Sequence, residues 1–94
     1  MRIRDQYDTV QRNVFLYGYK RAKRRIIGEV DLIGIKKDGM DLYEVKCSYR
    51  IVKAKRQLRK AKRILQATNW ISAEQAIKTY FYNGESREIH TILV

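Results

Sequence analysis

Two apolar runs on either side of Asp38-Gly39 constrain this chain more than any other feature. Residues 26–36 and 40–47 are rich in Ile, Val, Leu and Tyr. An Asp-Gly pair between such runs is the strongest short-range hairpin signal. With Asp38 and Gly39 as the turn, Lys37 pairs with Met40, Ile35 with Leu42, Ile33 with Glu44 and Asp31 with Lys46. Paired residues share a sheet face. One face then holds Glu29, Asp31, Ile33 and Ile35 beside Met40, Leu42, Glu44 and Lys46. The other holds Val30, Leu32 and Gly34 beside Tyr43, Val45 and Cys47. Both faces are apolar enough to be buried, yet three carboxylates and a lysine crowd one end of the first.

The flanking segments extend this pattern. Residues 5–18 read as a helix, with Tyr7, Val10, Val14 and Tyr17 in one stripe, acids Asp5 and Asp8 near its start and Gly18 at its end. Residues 51–67 read as a second helix with the apolar stripe Ala54, Leu58, Ala61 and Leu65. Asn69 and Ser72 mark an irregular turn, and Trp70 is an anchor for that helix or a subunit contact. Residues 76–82 and 87–94 read as strands joined at Asn83-Gly84, with Tyr80, Phe81 and Tyr82 alternating across the first. The order helix, hairpin, helix, hairpin implies an α+β domain with a mixed sheet. A chain of 94 residues forms one domain, residues 1–94.

Charge narrows the partner. Lys and Arg number 21 against 10 Asp and Glu, a net charge of +11. Such an excess on a small body points to a polyanion, nucleic acid first. The basic residues cluster at Lys20, Arg21, Lys23, Arg24 and Arg25, at Arg50, and along the second helix at Lys53, Lys55, Arg56, Arg59, Lys60 and Arg63. No acid falls between Glu44 and Glu74. Solvated helices mix signs, so phosphate contact is the better reading of these residues than a solvated face. No apolar run reaches the ~20 residues of a membrane span, and the apolar stripe of the basic helix is too thin for insertion, so no membrane partner is expected. Cys47 is the only cysteine and His90 the only histidine, which excludes cysteine-based zinc sites and two-histidine chemistry. With no apolar leader at the N-terminus, these features point to an intracellular, cytoplasmic setting.

The acidic end of the hairpin needs its own account. Burying charge is costly unless it is paired or binds metal. A structural ion-pair cluster is one reading of Asp31, Glu44 and Lys46. Their apolar surroundings favour the other, a divalent cation held by oxygen ligands, hence Mg2+ or Mn2+. Such a cation beside a lysine suits phosphodiester hydrolysis. Glu29 is either a supporting acid or a solvated strand end.

Gly28-Glu29-Val30-Asp31-Leu32-Ile33 followed by Glu44-Val45-Lys46 across the Asp-Gly turn resembles the PD-(D/E)XK nuclease superfamily. Within it the pattern is most similar to small archaeal-type Holliday-junction resolvases. The resemblance covers roughly residues 5–82, with Val30 standing where the motif has proline. It implies a restriction-endonuclease-like α/β sandwich, a core in the order α-β-β-β-α-β-β with a mixed central sheet. It further implies Asp31 and Glu44 as metal ligands with the Val45 carbonyl, Lys46 as the catalytic lysine, and Gln57 as a polar residue of the site on the following helix. The family often adds a first-helix acid. Asp5 and Asp8 are otherwise capping residues, and Asp8 is the better placed of the two.

The expected function is Mg2+-dependent endonucleolytic cleavage of DNA, branched or duplex, with junction or branched DNA as the favoured substrate. Symmetric resolution of a junction needs two active sites and so a homodimer, for which residues 87–94 either offer an edge or complete the core. The alternative is a non-catalytic basic nucleic-acid-binding module. The carboxylates discriminate, because a pure binder gains nothing from placing acids where phosphates dock.

Overall fold

The structure, a computed structural model, describes residues 6–46, 51–67 and 76–94. Five strands and one α-helix make up these residues in the order β1 (Thr9–Lys20), β2 (Lys23–Lys36), β3 (Gly39–Lys46), α1 (Ile51–Ala67), β4 (Ala76–Asn83) and β5 (Glu88–Thr91). They form a single sheet in the order β1-β2-β3-β4-β5. All neighbours are antiparallel except β3 and β4, which run parallel. Antiparallel neighbours need only short turns, whereas a parallel pair needs a crossover, and α1 lies between β3 and β4 in the chain. The expected mixed sheet is present. The expected α/β sandwich opening with a helix is not: the described fold is mostly strand with one helix.

The helix expected over residues 5–18 is strand β1 instead. Its stripe of Tyr7, Val10, Val14 and Tyr17 fits a helical period by coincidence. The segment is rich in Thr, Val, Phe and Tyr, types that favour a pleated surface. Its alternation is the better guide: Leu16 is buried and Val14 packs against the core, while Phe15, Tyr17 and Tyr19 are exposed. The turn back into β2 is Arg21-Ala22, both with positive φ (52° and 63°). That is the backbone of a two-residue hairpin turn, which sequences ordinarily mark with Asn or Gly. Its absence hid the hairpin inside a basic run.

The hairpin between β2 and β3 closes one residue earlier than its Asp-Gly pair implies. Lys36 pairs with Gly39, so Lys37-Asp38 form the turn and Ile33 pairs with Leu42, not Glu44. Continued one step past the last pair, Leu32 with Tyr43, this register sets Asp31 beside Glu44 rather than Lys46. Gly39 is needed for a different reason. It pairs with Ala76 at the start of the parallel ladder, and a Cβ there would lie 2.4 Å from the Ala76 carbonyl oxygen. No described glycine has positive φ. The hairpin joining β4 and β5 is also longer than Asn83-Gly84 alone: Asn83 pairs with Glu88. The Asn83 side-chain oxygen accepts the Glu85 and Ser86 amides at 2.9 and 3.3 Å.

Helix α1 covers one sheet face with the four residues its stripe predicts, Ala54, Leu58, Ala61 and Leu65. They join Leu16, Val30, Ile33, Leu42, Phe81 and Ile92 in the core. Val30 and Ile33 are both fully buried in this cluster although an odd number of positions separates them. A regular strand would put them on opposite faces. The alternation breaks at Asp31-Leu32, where β3 stops pairing with β2 and where Asn13 of β1 takes φ 51°.

The helix-free face carries a polar cluster. Buried Asp41 accepts the Tyr7 hydroxyl at 2.6 Å and an ion pair from Lys36 at 3.2 Å. The Tyr7 hydroxyl also meets that of Tyr43, whose ring stacks on Tyr80 at 5.0 Å. Burial raises the pKa of Tyr7, Tyr43 and Tyr80, and the contact with Asp41 raises that of Lys36. Tyr7 lies over Gly34, where a Cβ would meet its ring at 2.6 Å.

Candidate active site

Where β2 leaves β3, three residues converge. Asp31 takes over from the interrupted ladder: its Oδ2 accepts the Val45 amide at 2.9 Å. Glu44, on the helix-covered face, is only 1% exposed. Both of its carboxylate oxygens are buried with no hydrogen-bond donor in reach among the described residues. Lys46, two residues along the same face, places Nζ 3.7 Å from Glu44 Oε2.

Burial is the main force on Glu44, followed by the negative charge of Asp31, and together they push its pKa up to about 8. A protonated Glu44 can also donate to Asp31, which favours the neutral form further. Lys46 pulls the other way and Glu29 adds a smaller upward push. One lysine at 3.7 Å does not offset desolvation plus a neighbouring carboxylate.

The surroundings are unevenly as expected. On α1, Gln57 has its side-chain oxygen buried and, among the described residues, unpartnered. It lines an open cleft of about 270 Å³ with Ile26, Ile27, Gly28, Glu29 and Lys60. Glu29 therefore sits at the cleft beside the carboxylates. Val45 contributes its amide to Asp31. Asp8 is elsewhere. It is exposed, and its amide pairs with the Ile35 carbonyl at 2.9 Å. Ile35 lies four residues along β2 from Asp31, about 13 Å at ~3.3 Å per residue. The first-helix role expected of Asp8 falls with that helix. His90 pairs with Phe81, which pairs with Glu44, so it lies two strand spacings, about 10 Å, from the acids.

Asn83 is the residue the sequence reading missed. It is fully buried and pairs with Lys46 across the parallel ladder. Its Oδ1 caps the β4–β5 turn, while its Nδ2 donor is buried without a partner among the described residues. Asn83-Gly84 read as a turn signal, which concealed a position on the Lys46 face.

The donor set fits a hard divalent cation. Two carboxylates meet in a partly dry setting, one with both oxygens lacking donors, and Mg2+ is commonly held by one or two carboxylates plus waters. Among the described residues no group of three or more His, Cys, Asp or Glu gathers into a cation cage.

Basic side chains lie along α1 and at the far end of the β1–β2 ribbon. Lys53, Lys55, Arg56, Arg59, Lys60 and Arg63 are exposed on α1, and Arg21, Lys23, Arg24 and Arg25 on the β1–β2 turn. Lys20 closes that turn by pairing with Lys23. Asp5, Cys47, Arg50, Asn69, Trp70 and Ser72 lie outside the described residues. Ile92 is buried and its amide bonds the Thr79 carbonyl at 2.9 Å, so the C-terminal segment completes the core. Among the described residues no helix is long and apolar enough to cross a membrane. No protein-family model matches the chain, and no curated protein matches it.

Proposed function

We propose that this protein is a metal-dependent endonuclease of the PD-(D/E)XK kind, acting on DNA and favouring branched substrates. The observation that carries this reading is the buried Glu44 carboxylate, donor-free beside Asp31 and 3.7 Å from Lys46. A buried acid beside a second carboxylate and close to a lysine is costly to ionise unless a cation occupies the site. The three-strand meander, α1 and β4 also follow the order of that family's core after its first helix.

Asp31 and Glu44 would hold the cation, which when bound supplies charge neutralisation for a phosphodiester and a water of lowered pKa. Lys46 provides an ammonium for charge developing on the phosphate. Gln57, facing the cleft with a free side-chain oxygen, orients a polar group there. The basic face of α1 binds phosphates near the site and the β1–β2 turn binds them at a distance from it, giving affinity without base reading. Two such sites in a homodimer would suit a symmetric junction.

The test is cleavage of labelled four-way junction, flapped, duplex and single-stranded DNA with Mg2+, Mn2+ or EDTA. Metal-dependent cutting, lost in Asp31→Asn and Lys46→Ala and kept in Asp8→Asn, is the expected result. Salt-sensitive binding with no cutting under any metal would leave a basic binding module. Sedimentation at micromolar concentration tests the dimer.

A further inference from the structure

The β1–β2 hairpin runs well past the rest of the sheet. Among the described residues β3 pairs with β2 only from Leu32 to Lys36, so the ribbon from Val14–Lys20 to Lys23–Val30 has no third strand. Helix α1 meets the inner side near its base, where Ile64 lies at Gly28 beside Leu16 and where Gln57 and Lys60 line the cleft with Ile26 and Ile27. The inner side of that base is therefore core, and the outer side is open.

The outer side is aromatic. Phe15, Tyr17 and Tyr19 are 46%, 44% and 78% exposed, and Ile26 is 57% exposed opposite Tyr17. Apolar exposure concentrated on one ribbon face marks a binding surface. Cations frame it. The Arg24 guanidinium, opposite Tyr19, lies 4.0 Å over the Tyr17 ring, and Arg21 is exposed at the turn, while Lys23 and Arg25 are exposed on the opposite side of the ribbon. Glu29, at the base, is the one acid between Thr9 and Val30. This charge repels a second copy of the same ribbon and attracts a polyanion.

Spacing favours a strand with unpaired bases. Alternate side chains on a strand stand about 6.8 Å apart. That is twice the ~3.4 Å step between stacked nucleotides, so bases can alternate with successive rings. Aromatic platforms flanked by basic groups are the general means of holding single strands, and a guanidinium plane stacks on bases as well.

We propose that this hairpin is a stacking arm for unpaired nucleotides of a DNA strand, with Phe15, Tyr17 and Tyr19 taking the bases and Arg21 and Arg24 the phosphates. The inference rests on the nuclease reading for its substrate. It adds the feature that distinguishes branched from intact DNA: a branch exposes bases, and a closed duplex does not.

The experiment is binding in EDTA, where no cutting occurs. Single-stranded DNA, a fork and a blunt duplex each carry 2-aminopurine, placed at the branch in the fork. Tyr17→Ala/Tyr19→Ala should weaken single-strand and fork binding by about tenfold or more and relieve 2-aminopurine quenching, while duplex affinity changes less than twofold. Tyr17→Phe/Tyr19→Phe should restore both. Far-UV circular dichroism confirms that each variant is folded. Equal loss on duplex and single strand, or no loss on either, overturns the proposal. So does a drop in oligomeric mass in the alanine variant, which would make the arm a self-association surface. A protein that passes this test and cuts nothing keeps the arm and loses the nuclease reading.

Discussion

Asp31 accepts the Val45 amide at 2.9 Å at the step where β2 parts from β3, and this bond sets one carboxylate beside another, that of the buried Glu44. The side chain stands in for a strand. It satisfies an amide the ladder no longer reaches and, in doing so, fixes the acid beside Glu44.

Asp31→Asn separates structure from chemistry. Asparagine still accepts the Val45 amide, so stability in EDTA should stay within about 1 kcal/mol of wild type. Removing the negative charge should abolish Mg2+-dependent stabilisation. For wild type, Mg2+ at ~100 times its Kd should add about 2.7 kcal/mol. Thermal unfolding with and without Mg2+ reads both.

The raised pKa of Glu44 gives the metal-free protein a signed pH dependence. The folded state holds this proton to about pH 8, the unfolded chain only to about 4.5. The contribution is therefore fully present below pH 4.5 and falls as pH rises through 8, by at most ~1.4 kcal/mol per pH unit. Glu44→Gln, neutral at every pH, should flatten that decline. Denaturant midpoints at pH 5, 6.5 and 8 in EDTA test the difference between the two proteins. Cation binding displaces the same proton, so Mg2+ affinity should rise over this range.

Gly39 makes a prediction opposite to that of a turn glycine. A Cβ would collide with the Ala76 carbonyl oxygen, so Gly39→Ala should destabilise by about 1–3 kcal/mol. Asn, which a left-handed turn would welcome, should be at least as damaging. If urea unfolding finds Asn tolerated and Ala not, Gly39 serves the turn after all.

On the helix-free face, Tyr7→Phe keeps the ring over Gly34 and removes a hydroxyl shared by Asp41 and Tyr43. Among the described residues Asp41 is then left with Lys36. A loss of about 1–3 kcal/mol is expected, read by chemical denaturation.

The basic face of α1 should show itself in salt dependence. Each side chain that meets a phosphate of duplex DNA contributes about 0.9 to the slope of log affinity against log salt. Arg56→Ala/Arg59→Ala should lower that slope by up to ~1.8. An unchanged slope would mean that α1 faces away from DNA.

Much of the site was legible before any fold was known. The parity of a hairpin survives a slip of two in the pairing sum, so Asp31, Glu44 and Lys46 gather whether the turn is Asp38-Gly39 or Lys37-Asp38. Helix α1 was legible from Ala54, Leu58, Ala61 and Leu65, because a helix with one dry face writes its period into the chain. Local pattern therefore determined these elements and the charge around them. Strand β1 was not legible, since Tyr7, Val10, Val14 and Tyr17 satisfy a helical spacing and Arg21-Ala22 lacks the usual turn residues. Tertiary structure alone decided that Asp8 lies far from the acids, that Gly39 yields to a parallel neighbour, and that Asn83 stands beside Lys46. It also decided how dry Glu44 is. Desolvation depends on what α1 and β4 lay over a carboxylate, and residues brought together by a crossover leave no periodic trace in the sequence.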